Sequence, residues 1–238
     1  MNIVAIETAT ETVGVAVRTS GGVEAALTLT GRRRHVETLT PALEHLLEQV
    51  SLTPAQLDVV AVDTGPGLFT GLRVGVAAAK GLAQALGIGV VGASSLEILA
   101  EAAAAAGLRG TVLSCIDARR GEVFASAAQV TGEGADATEV LAPGLFTPGG
   151  LADALSALAE GTIHAVGDGA VRYAEVLGGV RRVVIVGPGL SFPPPVALVA
   201  LALRRLEEGQ PTVEPGSVVP LYMREADAKS NFARADGA

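Results

Sequence analysis

Cysteine occurs once in the chain, as Cys115, lysine only as Lys80 and Lys229, and histidine only as His35, His45 and His164. A single cysteine excludes a disulfide framework within the chain, and its place in an apolar strand segment reads as an inert thiol. With no His-x-x-x-His pair and no second cysteine, no metal site is expected; isolated histidines read as structural or solvated groups. No G-x-S-x-G elbow presents a nucleophile. Basic charge is short too: 17 Lys and Arg stand against 25 Asp and Glu, a formal charge of −8. Phosphate binding needs a basic footprint, so a protein that grips nucleic acid through its own surface is not expected. The one basic cluster, Arg32-Arg33-Arg34-His35, reads as a solvated loop. The scarcity of lysine beside fifteen arginines reads as coding bias. Long hydrophobic runs are missing despite a mean hydropathy of +0.46. The longest uncharged stretch, 183–203, is broken by Pro188, Pro193, Pro194 and Pro195, and what remains is too short to span a bilayer. The N-terminus shows no basic region and no signal-peptide core, so a cytoplasmic protein is expected.

What is there is a globular composition: 238 residues, 49% hydrophobic and 18% charged. Residues 2–7 read as a buried strand ending in an acid, Glu7. Strands at 13–18 and 23–29, joined by Gly21-Gly22, complete a three-strand meander. A helix over 38–50 follows, with Leu39, Leu43, Leu46, Leu47 and Val50 on one face and Pro41 in its first turn. The strand at 57–63 ends at Asp63 and runs through a glycine-rich turn, 65–71, into a helix reaching Leu86. After a short strand at 88–91, Ser94-Ser95-Leu96-Glu97 is a capping box opening a helix to about 107. The order then repeats: strand 111–117 ending at Asp117, turn 118–121, strands 122–130 and 138–141, helix 151–159, and strand 162–166 followed by Gly167-Asp168-Gly169. This duplication of pattern predicts two α/β domains of type βββαβα. They span 1–107 and 108–194, with a C-terminal helix and tail over 195–238 packing back on the core.

A strand, a glycine turn and a helix together can meet a phosphate at the helix N-terminus. Here the spacing matches neither G-x-G-x-x-G nor a Walker A loop, and Pro66 removes a backbone donor, so the turn reads as structural. The helix after it is more telling. Between Gly71 and Leu86 the polar residues are Arg73, Lys80 and Gln84, and they share one narrow stripe. A helix apolar nearly all round must be covered nearly all round. Gly71, Gly75 and Ala79 would let another backbone approach, and Leu72, Gly75, Ala79, Leu82 and Leu86 follow a three-four spacing. Either a helix of the same domain or a second chain would supply the cover. Glu7, Asp63 and Asp117 stand at strand ends, where active-site acids of α/β folds often lie. Strand-end acids also serve as caps or arginine partners, and Arg119 and Arg120 predict a local salt bridge to Asp117.

The duplicated pattern with acidic strand ends resembles the actin, Hsp70 and sugar-kinase ATPase superfamily. Longer stretches go further. Asp63-Thr64-Gly65-Pro66-Gly67-Leu68-Phe69-Thr70-Gly71-Leu72-Arg73-Val74-Gly75, Ala79-Lys80-Gly81-Leu82-Ala83, Gly92-Ala93-Ser94-Ser95-Leu96-Glu97 and Ile116-Asp117-Ala118-Arg119-Arg120-Gly121-Glu122-Val123 resemble motifs of the TsaB (YeaZ) family. Arg34-His35-Val36-Glu37 and Pro220-Leu221-Tyr222-Met223-Arg224 fit it as well. The resemblance implies a non-catalytic, activating subunit in the formation of threonylcarbamoyladenosine at position 37 of tRNA. It implies pairing with the catalytic subunit TsaD, a third partner in the ATPase TsaE, a homodimer when alone, and tRNA reached only through the complex. No cofactor is then required by this chain, and ATP would sit at the interface of the complex. The implied partner surface is the first two helices, with Leu39, Leu43, Leu46, Leu72, Gly75, Val76, Ala79, Leu82 and Leu86. Replacing Gly75 by Leu is accordingly expected to break pairing without unfolding the chain. Residues carrying the family motif, and expected near any nucleotide, are Glu7, Asp63, Gly65, Pro66, Gly67, Thr70, Gly71, Arg73, Lys80, Asp117, Arg119 and Arg120. Two departures weaken independent nucleotide hydrolysis: Glu7 stands where the family usually has Asp, and Leu68 where it has Ser. The competing reading is a free-standing ATP-dependent kinase or ATPase of the superfamily.

Overall fold

Ten strands form two five-stranded sheets of the same order in a computed structural model that describes residues 1–31, 35–131, 138–158 and 161–224. The basic cluster at 32–34 and the tail from 225 lie outside the described residues. The first sheet holds β1 (Ile3–Glu7), β2 (Thr12–Arg18), β3 (Glu24–Thr30), β4 (Val59–Asp63) and β5 (Gly89–Ala93), in the order β3-β2-β1-β4-β5. The second holds β6 (Gly110–Arg119), β7 (Glu122–Val130), β8 (Thr138–Phe146), β9 (Ile163–Val166) and β10 (Val183–Ile185), in the order β8-β7-β6-β9-β10. In each sheet the first three strands pair antiparallel and the last two join in parallel. This is the duplicated α/β architecture that the repeat of pattern predicts.

The fifth strand of the first half, β5, is the short strand expected at 88–91, and the second half adds a fifth strand that was not expected. In the second half that strand, β10, is three residues long, too short for any periodicity to mark it. β8 runs five residues beyond its expected end, to Phe146. β1 and β4 are buried along their whole length, because helices cover both faces of their sheet. α1 (His35–Gln49) and α2 (Phe69–Leu86) cover one face, packing Leu39, Leu46, Leu47, Val76 and Ala79 against Val4, Ile6, Val15, Val60 and Val62. α7 (Pro195–Glu207) returns to cover the other, through Leu198, Val199 and Ala202. α3 (Ser95–Ala105) is the wall common to both halves: Ile98 and Ala102 face the first sheet, while Leu96, Leu99 and Ala103 pack against Val112, Ile116 and Phe124 of the second. The capping box forms as expected, Ser94 Oγ accepting from Glu97 N at 3.2 Å and Ser94 N donating to Glu97 Oε2 at 2.8 Å. α4 (Pro148–Ser156), α5 (Asp168–Arg172) and α6 (Ala174–Leu177) complete the second half.

α1 begins three residues earlier than its pattern suggests, so Pro41 lies in its second turn and on its exposed side. Arginines precede it where a Ser, Thr, Asp or Asn cap would have marked the start. Among the described residues no helix is long and apolar enough to cross a membrane.

The small residues of α2 serve the chain's own packing. A Cβ built on Gly75 would stand 2.2 Å from Thr8 Oγ1, whereas one on Gly81 would meet nothing within 4 Å. Thr8 cannot turn aside freely, since its hydroxyl donates to Gly71 O at 2.8 Å in a buried site. Gly75→Ala is therefore expected to destabilise the fold by about 1–3 kcal/mol. Gly81→Ala should stabilise it by roughly 0.5–1 kcal/mol through helix propensity. Urea unfolding of the two variants checks both signs, and equal effects would contradict the packing.

Candidate functional site

β1 and β4 are parallel neighbours with Ile6 opposite Val62, so their terminal acids reach the same edge of the sheet. Glu7 and Asp63 are both buried, at 0% and 1% exposure. Buried carboxylates need cations, donors or protons. Neither has a Lys or Arg in ion-pair contact among the described residues. The turns around them fold inward to supply donors instead. Glu7 accepts from Ala9 N at 2.8 Å and from Thr12 Oγ1 at 2.6 Å. Asp63 Oδ1 accepts from Gly65 N and from Ser95 Oγ, each at 2.7 Å, while Asp63 Oδ2 is buried without a partner. Burial, with the nearby charge of Asp63 adding to it, pushes Glu7 up to about 8. Burial pushes Asp63 up to about 7, against the hydrogen bonds from Ser95 and Gly65 that favour its charged form. Together the two acids hold protons at neutral pH that an isolated carboxylate would have lost.

The glycine turn closes over this pair. Leu68 N donates to Ala9 O at 2.6 Å, and a Cβ on Gly67 would stand 2.1 Å from the same oxygen. The turn after β4 thus lies on the turn after β1 without a gap. The second half repeats the device: a Cβ on Gly167 would stand 2.0 Å from Cys115 O, and one on Gly169 2.9 Å from Cys115 Sγ. Asp168 accepts from Asp117 N at 3.0 Å, and burial raises its pKa. Glu7 does not fit as a metal-nucleotide ligand, because both its oxygens are engaged internally and its protonated form is favoured.

The two halves meet at the β6–β7 hairpin. Arg119 Nη1 binds Asp117 Oδ2 at 2.9 Å, the local bridge expected from the sequence, and Arg119 Nη2 reaches across to Glu11 Oε1 at 2.7 Å. Arg172 approaches Asp117 at 3.6 Å. Arg119 and Arg120 hold φ angles of 65° and 57°, a left-handed backbone costing about 1–2 kcal/mol per L-residue. The contribution of Glu11 is invisible in the sequence, where it is one polar residue in a turn. Asp168 was signalled only by the repeated glycine turn.

The structure divides the expected site residues. Glu7, Asp63, Gly65, Pro66, Gly67 and Gly71 surround the buried acids, and Asp117, Arg119 and Arg120 belong to the facing hairpin. Thr70, Arg73 and Lys80 do not join them; they lie on the outward side of α2. There Arg73 Nε donates to the Tyr222 hydroxyl at 3.1 Å and its guanidinium stacks 3.7 Å over the Phe69 ring. Lys80 Nζ donates to Gly216 O and Val218 O, both at 3.1 Å. Arg73 and Lys80 bind the C-terminal segment. The expected partner face is also turned. Leu39, Leu46, Leu72, Gly75, Val76 and Ala79 are buried in the chain's own core, while Leu43, Leu82 and Leu86 are half-buried against it. The chain's own sheet and Thr8 cover the face that spacing assigned to a partner. α2 exposes Phe69, Thr70, Arg73, Ala77, Gly81, Gln84 and Ala85 instead, flanked by half-buried Val74 and Ala78.

A family model described as "TsaD: tRNA N6-adenosine threonylcarbamoyltransferase" matches residues 17–167. The tRNA threonylcarbamoyladenosine biosynthesis protein TsaB of Escherichia coli is 36% identical over 124 residues, 52% of this chain and 53% of that protein. The match thus spans about half the length of that relative. An uncharacterized protein of Mycobacterium tuberculosis is 34% identical over 229 residues, 95% of this chain and 93% of its own length. The solved structure of YeaZ from Pseudomonas aeruginosa superposes with a TM-score of 0.77 at 26% identity, covering 93% of this chain and 99% of that one.

The buried acids make stability depend on pH. Both bind protons more tightly folded than unfolded, so their stabilising contribution is complete below about pH 4 and is lost as pH rises through about 7 to 8. Unfolding free energy should fall by on the order of 2 kcal/mol or more between pH 5 and pH 9. Glu7→Gln, which keeps a neutral group of the same shape, should flatten that slope. A wild-type profile level across this range would contradict the proposed protonation.

Proposed function

The chain belongs to the TsaB (YeaZ) family, and from that premise we propose that it is a non-catalytic subunit in the biosynthesis of N6-threonylcarbamoyladenosine at position 37 of tRNA. It pairs with the catalytic subunit TsaD, takes the ATPase TsaE as a further partner, forms a homodimer when alone, and works in the cytoplasm. It needs no cofactor of its own; any ATP binds at the interface of the complex, and tRNA is reached through that complex. The observation that carries this reading is the outer face of α2. Ala77, Gly81 and Ala85 are exposed beside half-buried Val74 and Ala78, an apolar, small-residue surface on which another helix could lie close. The inward-folded turns around Glu7 and Asp63 support a subunit without turnover of its own. Leu43, Leu82 and Leu86, half-buried, lie at the margin of the proposed surface.

Size-exclusion chromatography with light scattering, on the chain alone and mixed with TsaD of the same organism, tests this. A homodimer that exchanges into a one-to-one heterodimer is expected. Ala77→Glu should abolish both assemblies while changing stability by no more than about 0.5 kcal/mol. Two proteins that never mix, or ATP turnover by the lone chain that Asp63→Asn removes, would overturn the reading.

A further inference from the structure

We propose that the Glu11–Arg119–Asp117 ion pairs form an internal latch that holds the two halves of the chain against each other. Three observations meet there. Arg119 links a carboxylate of its own strand to one on the turn between β1 and β2, 2.9 Å and 2.7 Å away. Its backbone is held left-handed, as is that of Arg120, and Gly121 follows at φ 79°. A hairpin turn of that kind favours Asn and Gly, so two arginines there are retained against backbone preference, and this conformation lets Arg119 reach both acids. The hairpin is also tied from its other side. Arg224 donates to Ala118 O at 3.1 Å and pairs with Glu122, and the same C-terminal segment holds the turn after β4 through Leu221 N to Thr64 O at 2.7 Å. Both turns that close over the buried acids are therefore fastened to β6–β7, one by Glu11 and one by the segment ending at Arg224.

The latch deepens the scaffold reading and draws its purpose from it. The turn that bears Glu11 also bears Thr8, whose hydroxyl binds Gly71 O at the start of α2. Fixing that turn fixes the setting of the helix offered to a partner. The pair is half-exposed, with Arg119 at 39% and Glu11 at 37%, so the latch is sensitive to salt.

The lone full-length chain tests the latch separately from partner binding. Cys115 is buried, so spin labels attach selectively to cysteines introduced at two exposed sites, Thr28→Cys on β3 and Glu139→Cys on β8. Glu11→Ala removes the arm between the halves and leaves Asp117–Arg119 intact. It should broaden and lengthen the electron–electron distance distribution. Amide exchange at residues 8–12 and 117–122 should rise roughly fivefold, the factor for a pair worth about 1 kcal/mol. About 1 M KCl, where the Debye length is ~3 Å, should shift the unsubstituted pair of labels in the same direction. An unchanged distribution in a folded Glu11→Ala chain overturns the latch. Should that variant not fold, an unchanged distribution in high salt does so. Failure to bind TsaD would overturn the scaffold reading and leave these results standing.

Discussion

Two carboxylates buried side by side, with no Lys or Arg in ion-pair contact among the described residues, set the terms for the architecture around them. Glu7 and Asp63 arrive together because β1 and β4 are parallel neighbours that both end in an acid. Burying them costs several kcal/mol each unless donors or protons compensate. The chain supplies both. Residues 9 and 12 fold back onto Glu7, and residues 65 and 95 onto Asp63. Those same movements lay one turn on the other, and Gly67 is needed because Ala9 O occupies the place of any side chain. The edge where a phosphate would be sought is thereby used for internal satisfaction. The contact between the two turns and the donors to the buried acids come from the same folding-in of the chain.

The same turn passes the constraint on to α2. Thr8 follows Glu7 directly, and its hydroxyl needs an acceptor once buried; it finds Gly71 O. Gly75 must then be bare, since Thr8 lies against it. The stripe Gly71, Gly75, Ala79 is thus explained from inside the chain. The spacing predicts a close neighbour, either a helix of the same domain or a second chain; the sheet beneath and Thr8 cover this face instead. The surface left over, around Ala77 and Gly81, is still short of charge for a face in solvent.

Much of the fold was legible because strands buried on both faces and capped helices leave local marks. The acids closing β1 and β4, the Ser94–Glu97 box and the repeat of strand order all read directly from neighbouring residues. What stayed hidden depended on contacts far apart in sequence. Glu11 meets Arg119 across 108 residues and Tyr222 meets Arg73 across 149; nothing local distinguishes either from an ordinary surface residue. Arg73 and Lys80 carry the family motif, and a helix turns each successive side chain by about 100°. Both end on the outer side, under the C-terminal segment.

Duplication explains why closure could become an internal property. Each half places a glycine turn against the end of its own first strand, at Gly67 on Ala9 and at Gly167 on Cys115. Two such edges facing each other make a cleft, and in a cleft lined by acids the halves repel unless positive charge lies between them. A bound cation or a basic side chain can meet that need. Here Arg119 stands between Glu11 and Asp117, while Glu7 and Asp63 relieve the repulsion within the first sheet by retaining protons. With both devices inside the chain, the turns that carry them are tied together and the helices joined to those turns keep one arrangement.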